Sequence, residues 1–139
     1  MNTSIKRVAY TLCTLLTLVI FSPSSHAEWE KVSSSKGDDG TTRIHYVDQD
    51  TIVDNGDKVQ MWFLTIYSSP FKGSNFTYSS VKAHEEFDCK LKANRLRYIA
   101  HYASKDGSGN PLSGQSIDSK WEPAIPGSIL AAMLKFACN

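Results

Sequence analysis

The ten residues Lys58–Tyr67, KVQMWFLTIY, limit the fold more than any other stretch of the chain. Read as an extended strand, they place Val59, Met61, Phe63 and Tyr67 on one face and Trp62, Leu64 and Ile66 on the other. A strand that is apolar on both faces lies inside a sheet or is covered from both sides. DNGD at Asp54–Asp57 predicts a two-residue hairpin in front of it, because Asn-Gly suits the positive φ that matches strand twist. That hairpin joins TIV (51–53) to the long strand. Behind it, SSPFKGSN (68–75) reads as a Ser/Gly/Pro loop.

The neighbouring segments alternate in the same way. In TTRIHYVD (41–48), Ile44 and Tyr46 oppose Arg43 and His45. In FTYSSVKAHEEFDC (76–89), Val81, Ala83, Phe87 and Cys89 share a face, and Lys82, His84, Glu86 and Asp88 share the other. The chain turns at KLKAN (90–94) into RLRYIAHYAS (95–104), where Leu96, Tyr98, Ala100 and Tyr102 oppose Arg95, Arg97 and His101. Aromatic and β-branched residues favour strands throughout. KDGSGNPLSGQS (105–116) reads as a mobile polar loop.

From Trp121 to Asn139 the only charges are Glu122 and Lys135. Pro126 and Gly127 close an irregular stretch, and Ser128 is placed to cap a helix ILAAMLKFAC. On that helix Leu130, Leu134, Ala137 and Cys138 form one stripe, with Ile129, Met133 and Phe136 beside it. The expected fold class is α+β: a single antiparallel, meandering β-sheet with a C-terminal α-helix packed on it.

The N-terminal residues are set aside from this fold. Lys6 and Arg7 precede the uncharged run VAYTLCTLLTLVIF, and Ser25 and Ala27 fit a small-x-small cleavage site. Residues 1–27 are therefore expected to be a secretion signal cut after Ala27, leaving one domain over 28–139. The run is short of the roughly 20 apolar residues of a spanning helix. Bulky Leu12 in front of Cys13 speaks against a lipid anchor. Of fifteen basic residues the cut removes Lys6 and Arg7, leaving thirteen against fourteen acidic ones, a net charge of −1. So even a balance argues against nucleic acid and against a polybasic membrane patch.

Cys89 and Cys138 remain after cleavage, without a C-x-x-C motif. In an oxidising compartment such a pair reads as one structural disulfide. Cys89 is on the inward face of its strand and Cys138 follows the apolar stripe of the helix, so the bridge tethers helix to sheet. Closing a loop of about 50 residues is worth roughly 4 kcal/mol in the chain-entropy model.

Several pieces together resemble the surface-adhesin protein E family of Gram-negative bacteria: YVDQDTI, KVQMWFL, SVKA…FDC…NRLRY and the closing WEPAIPGS…C. They span nearly all of residues 28–139. The resemblance implies an antiparallel sheet whose C-terminal helix is held by a disulfide. It also implies an exported cell-envelope binding protein, an adhesin recognising host matrix or plasma proteins, in a family whose namesake is described as dimeric. The chain departs from that pattern in lacking a lipobox. Its second reading is therefore a soluble periplasmic protein that inhibits or protects an envelope component, without adhesin activity.

The chemistry-bearing residues point to binding. G-x-S-x-G, H-E-x-x-H and P-loop patterns are absent, and no catalytic, cofactor or metal site is assigned. His84 and His101 meet near Glu86 if the KLKAN turn sets that register, but the spacing matches no metal motif. The expected role of that face is cross-strand pairing of Glu86 and Asp88 with Arg95 and Arg97. One helix cannot cover both faces of a sheet, so aromatics are left over for a protein ligand or a second copy in a homodimer. Trp62, and Phe71, Phe76 and Tyr78 around the Gly/Ser loop, are the candidate partner-binding residues.

Overall fold

A computed structural model describes residues 29–139, so the expected signal segment and its cut after Ala27 lie outside the described residues. Six strands follow one another across an antiparallel sheet: β1 (Trp29–Lys36), β2 (Thr42–Asp54), β3 (Lys58–Lys72), β4 (Thr77–Asp88), β5 (Ala93–Tyr102) and β6 (Ser113–Ser116). A two-residue β7 (Glu122–Pro123) pairs with Ala93 and Asn94 of β5. The helix α1 (Ile129–Ala137) closes the chain.

The central strand is the one its two-sided apolar pattern demanded. β3 is paired along both edges, Phe63 with Val47 of β2 and with Ala83 of β4. Val47, Val59, Met61, Phe63 and Phe87 line the face under α1 and meet Met133 and Leu134 of the helix. Ser128 caps the helix as its sequence promised, with its Oγ accepting the Ala131 N–H at 3.1 Å. Cys89 and Cys138 are disulfide-bonded, Cα atoms 5.6 Å apart, which fastens the last turn of α1 to the end of β4.

Four details depart from the sequence pattern. β1, WEKVSSSK, was not anticipated: its serines give no alternation, and the register slips between Lys31 and Ser33. The β2–β3 turn is framed one residue later than Asn-Gly suggests. The Asn55 N–H reaches the Lys58 carbonyl at 2.8 Å, and Gly56 supplies the positive φ of +79°. β3 and β4 continue into the Ser/Gly/Pro stretch, past a register break between Ile66 and Phe71 where Pro70 has no N–H to give. The 105–116 stretch, expected to be mobile, contains β6 and folds back on the sheet. Gly107 is buried beside Leu64 and Lys82, and the Ser80 hydroxyl donates to the Ser104 carbonyl at 2.7 Å.

Candidate ligand-binding face

A bulge in β5 decides what the helix-free face carries. His84 pairs with Tyr98 but Glu85 pairs with Leu96, so Arg97 is the extra residue. The slip turns Arg95, Tyr98, Ala100 and Tyr102 to one face and leaves Leu96, Ile99 and His101 on the helix side, dividing the expected alternation in two. His84 and His101 therefore lie on opposite faces, and the contemplated His84–His101–Glu86 cluster does not form. Among the described residues no group of three His, Cys, Asp or Glu side chains is placed to hold a metal.

On the helix-free face the result is a strip of rings. Trp62 stacks on His84 with centroids 5.1 Å apart and planes 19° off parallel, and Tyr98 leans on Trp62 at 5.6 Å. These rings, with Gln60, Arg97 and Tyr102, line a groove of about 810 Å³ walled on its far side by Ser116, Ile117 and Asp118. A smaller recess of about 320 Å³ shares Trp62 and Tyr102 and extends the strip to Trp29. Lys82 sends its ammonium over the rings of Tyr102 and Trp29, 5.4 and 5.7 Å from their centroids. Half-buried aromatic rings with cations and hydrogen-bonding groups at their margins suit recognition of another molecule.

The expected ion pairs are partly rearranged. Glu86 accepts from Arg95 Nε at 2.5 Å, as anticipated, but Asp88 is held by Lys58 at 3.0 Å and Arg97 by Asp118 at 2.7 Å. Burial pushes the Glu86 carboxyl up, and Arg95 with its hydrogen bond and charge brings it below the ordinary value. Burial, then the charge of Arg97, holds His84 below its ordinary value despite Glu86, so the ring stacked on Trp62 is neutral at pH 7. Lys58 and Arg95 both hold their cations over the Trp121 ring, 4.2 and 4.7 Å from its centre.

The structure separates the four candidate binding residues. Trp62 is on the helix-free face, half-buried; its companion Leu64 is covered instead, 2 % exposed beneath the Gly107 loop. Phe71, Phe76 and Tyr78 gather elsewhere. Tyr78 packs 4.7 Å from His101 and 5.4 Å from Tyr67, and Arg43 lies 5.7 Å over both Tyr67 and Phe71. His101 is a helix-side residue, and burial holds its ring below its ordinary pKa. This second cluster continues along β3 beyond Thr65, which lines a cleft with Ile129 and Leu130. Burial, then Tyr78, raises the Tyr67 phenol to about 12.

Sequence reasoning missed Trp29, Arg97, Tyr98, Tyr102 and Asp118 as members of the strip. Strict alternation set Tyr98 and Tyr102 on one face with Leu96, and one extra residue parts them from it.

No match to the chain was found among curated proteins or among solved structures. No helix of the described residues is long and apolar enough to cross a membrane. A family model does match, described as surface-adhesin protein E, over residues 29–139. It takes in every strand, the helix and both bridging cysteines. With the antiparallel sheet and the disulfide-held C-terminal helix, that match places the chain in the surface-adhesin protein E family.

Proposed function

We propose that this chain is an exported cell-envelope adhesin that recognises a host matrix or plasma protein on the helix-free face of its sheet, working by binding and not by catalysis. The observation that carries the reading is the strip Trp29–Tyr102–Trp62–Tyr98. Its rings are only half-buried on the face that α1 leaves uncovered. Aromatic side chains bury large areas at little entropic cost, and Trp, Tyr and Arg dominate binding hot spots. Membership of an adhesin family supports a protein ligand over a small molecule. The same strip suits the periplasmic reading, in which the partner is an envelope component.

The test joins location to binding. Protease is applied to intact cells and to cells with a permeabilised outer membrane, and the purified protein is assayed on immobilised extracellular-matrix proteins. The expected result is cleavage on intact cells and matrix binding that Trp62→Ala removes. Protection until permeabilisation, with no matrix binding, would sink the adhesin reading in favour of a periplasmic role.

A further inference from the structure

The acidic residue at the groove wall is poorly placed for a structural role. Asp118 is 83 % exposed in its side chain, on the short connection between β6 and β7, yet it meets Arg97 Nη1 at 2.7 Å and Arg95 Nη1 at 3.8 Å. The connection is anchored without it. The Ile117 N–H donates to the Arg97 carbonyl at 2.8 Å, and the Ser119 hydroxyl accepts the Leu96 N–H at 2.8 Å. An exposed ion pair contributes little and is easily exchanged.

The arginines differ in what else they hold. Arg95 is committed to buried Glu86, and its guanidinium also lies under Trp121. Arg97 is the bulge residue, turned onto the face by the extra position, and Asp118 is its acidic partner among the described residues. At the other end of the strip the Lys82 ammonium rests on rings, with no carboxylate paired to it among the described residues. Asp48 in that recess is turned to its own backbone, its Oδ1 accepting the Asp50 N–H at 3.2 Å. Among the described residues the strip thus ends in one cation free of an acid and one whose acid is exposed and exchangeable.

We infer that Asp118 holds the place of an acidic side chain of the protein partner: an extended acidic segment lies along the groove, its carboxylate takes Arg97 from Asp118, and its neighbouring side chains rest on Trp62 and Tyr98. A carboxylate matches the guanidinium fork, and charge-assisted pairs beside an aromatic floor are stronger than the same pairs in open water. This rests on the helix-free face being the binding face. It adds the sign of the partner and predicts that deleting a native contact improves binding.

The test is calorimetric titration of the folded 28–139 protein with a synthetic peptide of alternating glutamate and tyrosine. The lysine–tyrosine counterpart and a sulfated polysaccharide are the comparison probes. The glutamate peptide is expected to bind, and more weakly as salt rises. Asp118→Asn should tighten it about two- to fivefold, the worth of an exposed pair removed. Arg97→Gln should weaken it about tenfold or more. Asp38→Asn, on the distant β1–β2 turn, should change nothing, which separates a local exchange from a change in net charge. Equal or weaker binding by Asp118→Asn would overturn the inference, as would a preference for the lysine peptide or binding of the polysaccharide alone. If Trp62→Ala abolishes binding while Asp118→Asn has no effect, the face stands and the acidic partner falls. If neither Trp62→Ala nor Arg97→Gln alters it, both readings fall.

Discussion

Trp62 and His84 face one another across β3 and β4, their rings 5.1 Å apart and 19° from parallel, while the next residue on β3, Phe63, points through the sheet to meet Phe87 at 5.8 Å. One strand thus serves two purposes at adjacent positions. The inward ring is core, and the outward ring is a half-covered platform. The covering of the sheet explains the difference, since α1 reaches one face only and the Gly107 loop covers the other only around Leu64.

That contrast is measurable as stability. Phe63→Ala removes a ring that is 2 % exposed and should cost about 3–5 kcal/mol. Trp62→Ala loses its stacking partners and part of its buried area, and should cost about 1 kcal/mol. Urea unfolding of the two variants with equal slopes checks this. Equal costs would mean that Trp62 is a core residue and that its loss cannot report on binding.

The Cys89–Cys138 bridge links the end of β4 to the last turn of α1, across a separation of 49 residues. Either Cys→Ser change should remove about 4 kcal/mol and lower the melting temperature by roughly 15 °C, with the helix detaching first. A thermal melt of the oxidised and reduced wild type beside the variants tests it. Reduction of the wild type should reproduce the variants, and a melting temperature that ignores reduction would deny the bridge a structural role.

Glu85 gives the domain a pH dependence of unusual sign. It is 9 % exposed on the helix side of β4, and its Oε2 accepts from Asn94 Nδ2 at 3.3 Å. Burial raises its pKa from 4.5 to about 7, against the Asn94 hydrogen bond and with the help of the Glu122 charge. An acid whose folded pKa lies above its unfolded one stabilises most when protonated in both states. Its contribution is lost as pH rises from about 4.5 to about 7, a swing on the order of 3 kcal/mol. His45, His84 and His101, all held below 6.5 chiefly by burial, act oppositely and favour the fold at higher pH. The difference between wild type and Glu85→Gln isolates the carboxyl. The variant should gain relative stability steadily between pH 4.5 and 7 and hold a constant advantage above it. A difference that stays flat across that window would show Glu85 to have an ordinary pKa.

What the sequence revealed divides along the same physical lines. The two-faced apolar run of β3 could be read because burial on both sides leaves no alternative pattern. The C-terminal helix and the cysteine pair were legible for a similar reason: cap, apolar stripe and bridge all agree. β1 escaped because its pairing is made by backbone groups, while serines 33–35 carry no facial signal. The candidate face escaped because its membership turns on the single extra residue at Arg97. A bulge costs the sequence nothing visible, yet it parts Tyr98 and Tyr102 from Leu96 and sets His84 and His101 on opposite sides.

The loop over Leu64 supplies the last prediction. Gly107 has a φ of +69°, and a Cβ built there would come within 2.6 Å of Lys82 Cε and 3.2 Å of Leu64 Cδ1. Lys82 is flexible enough to yield, but Leu64 is buried and the backbone would still be strained for any residue with a side chain. Gly107→Val should therefore cost roughly 1–3 kcal/mol and lift the loop from the sheet. Lifting it would expose Leu64 and free Lys82 from its place over Tyr102, next to the groove. Hydrogen exchange of residues 103–112 and the melting temperature read the two effects separately. Faster exchange confined to that loop and the neighbouring β4 amides is expected. Unchanged exchange and stability would mean that the loop does not hold this packed position, and the cover over Leu64 would have to come from elsewhere.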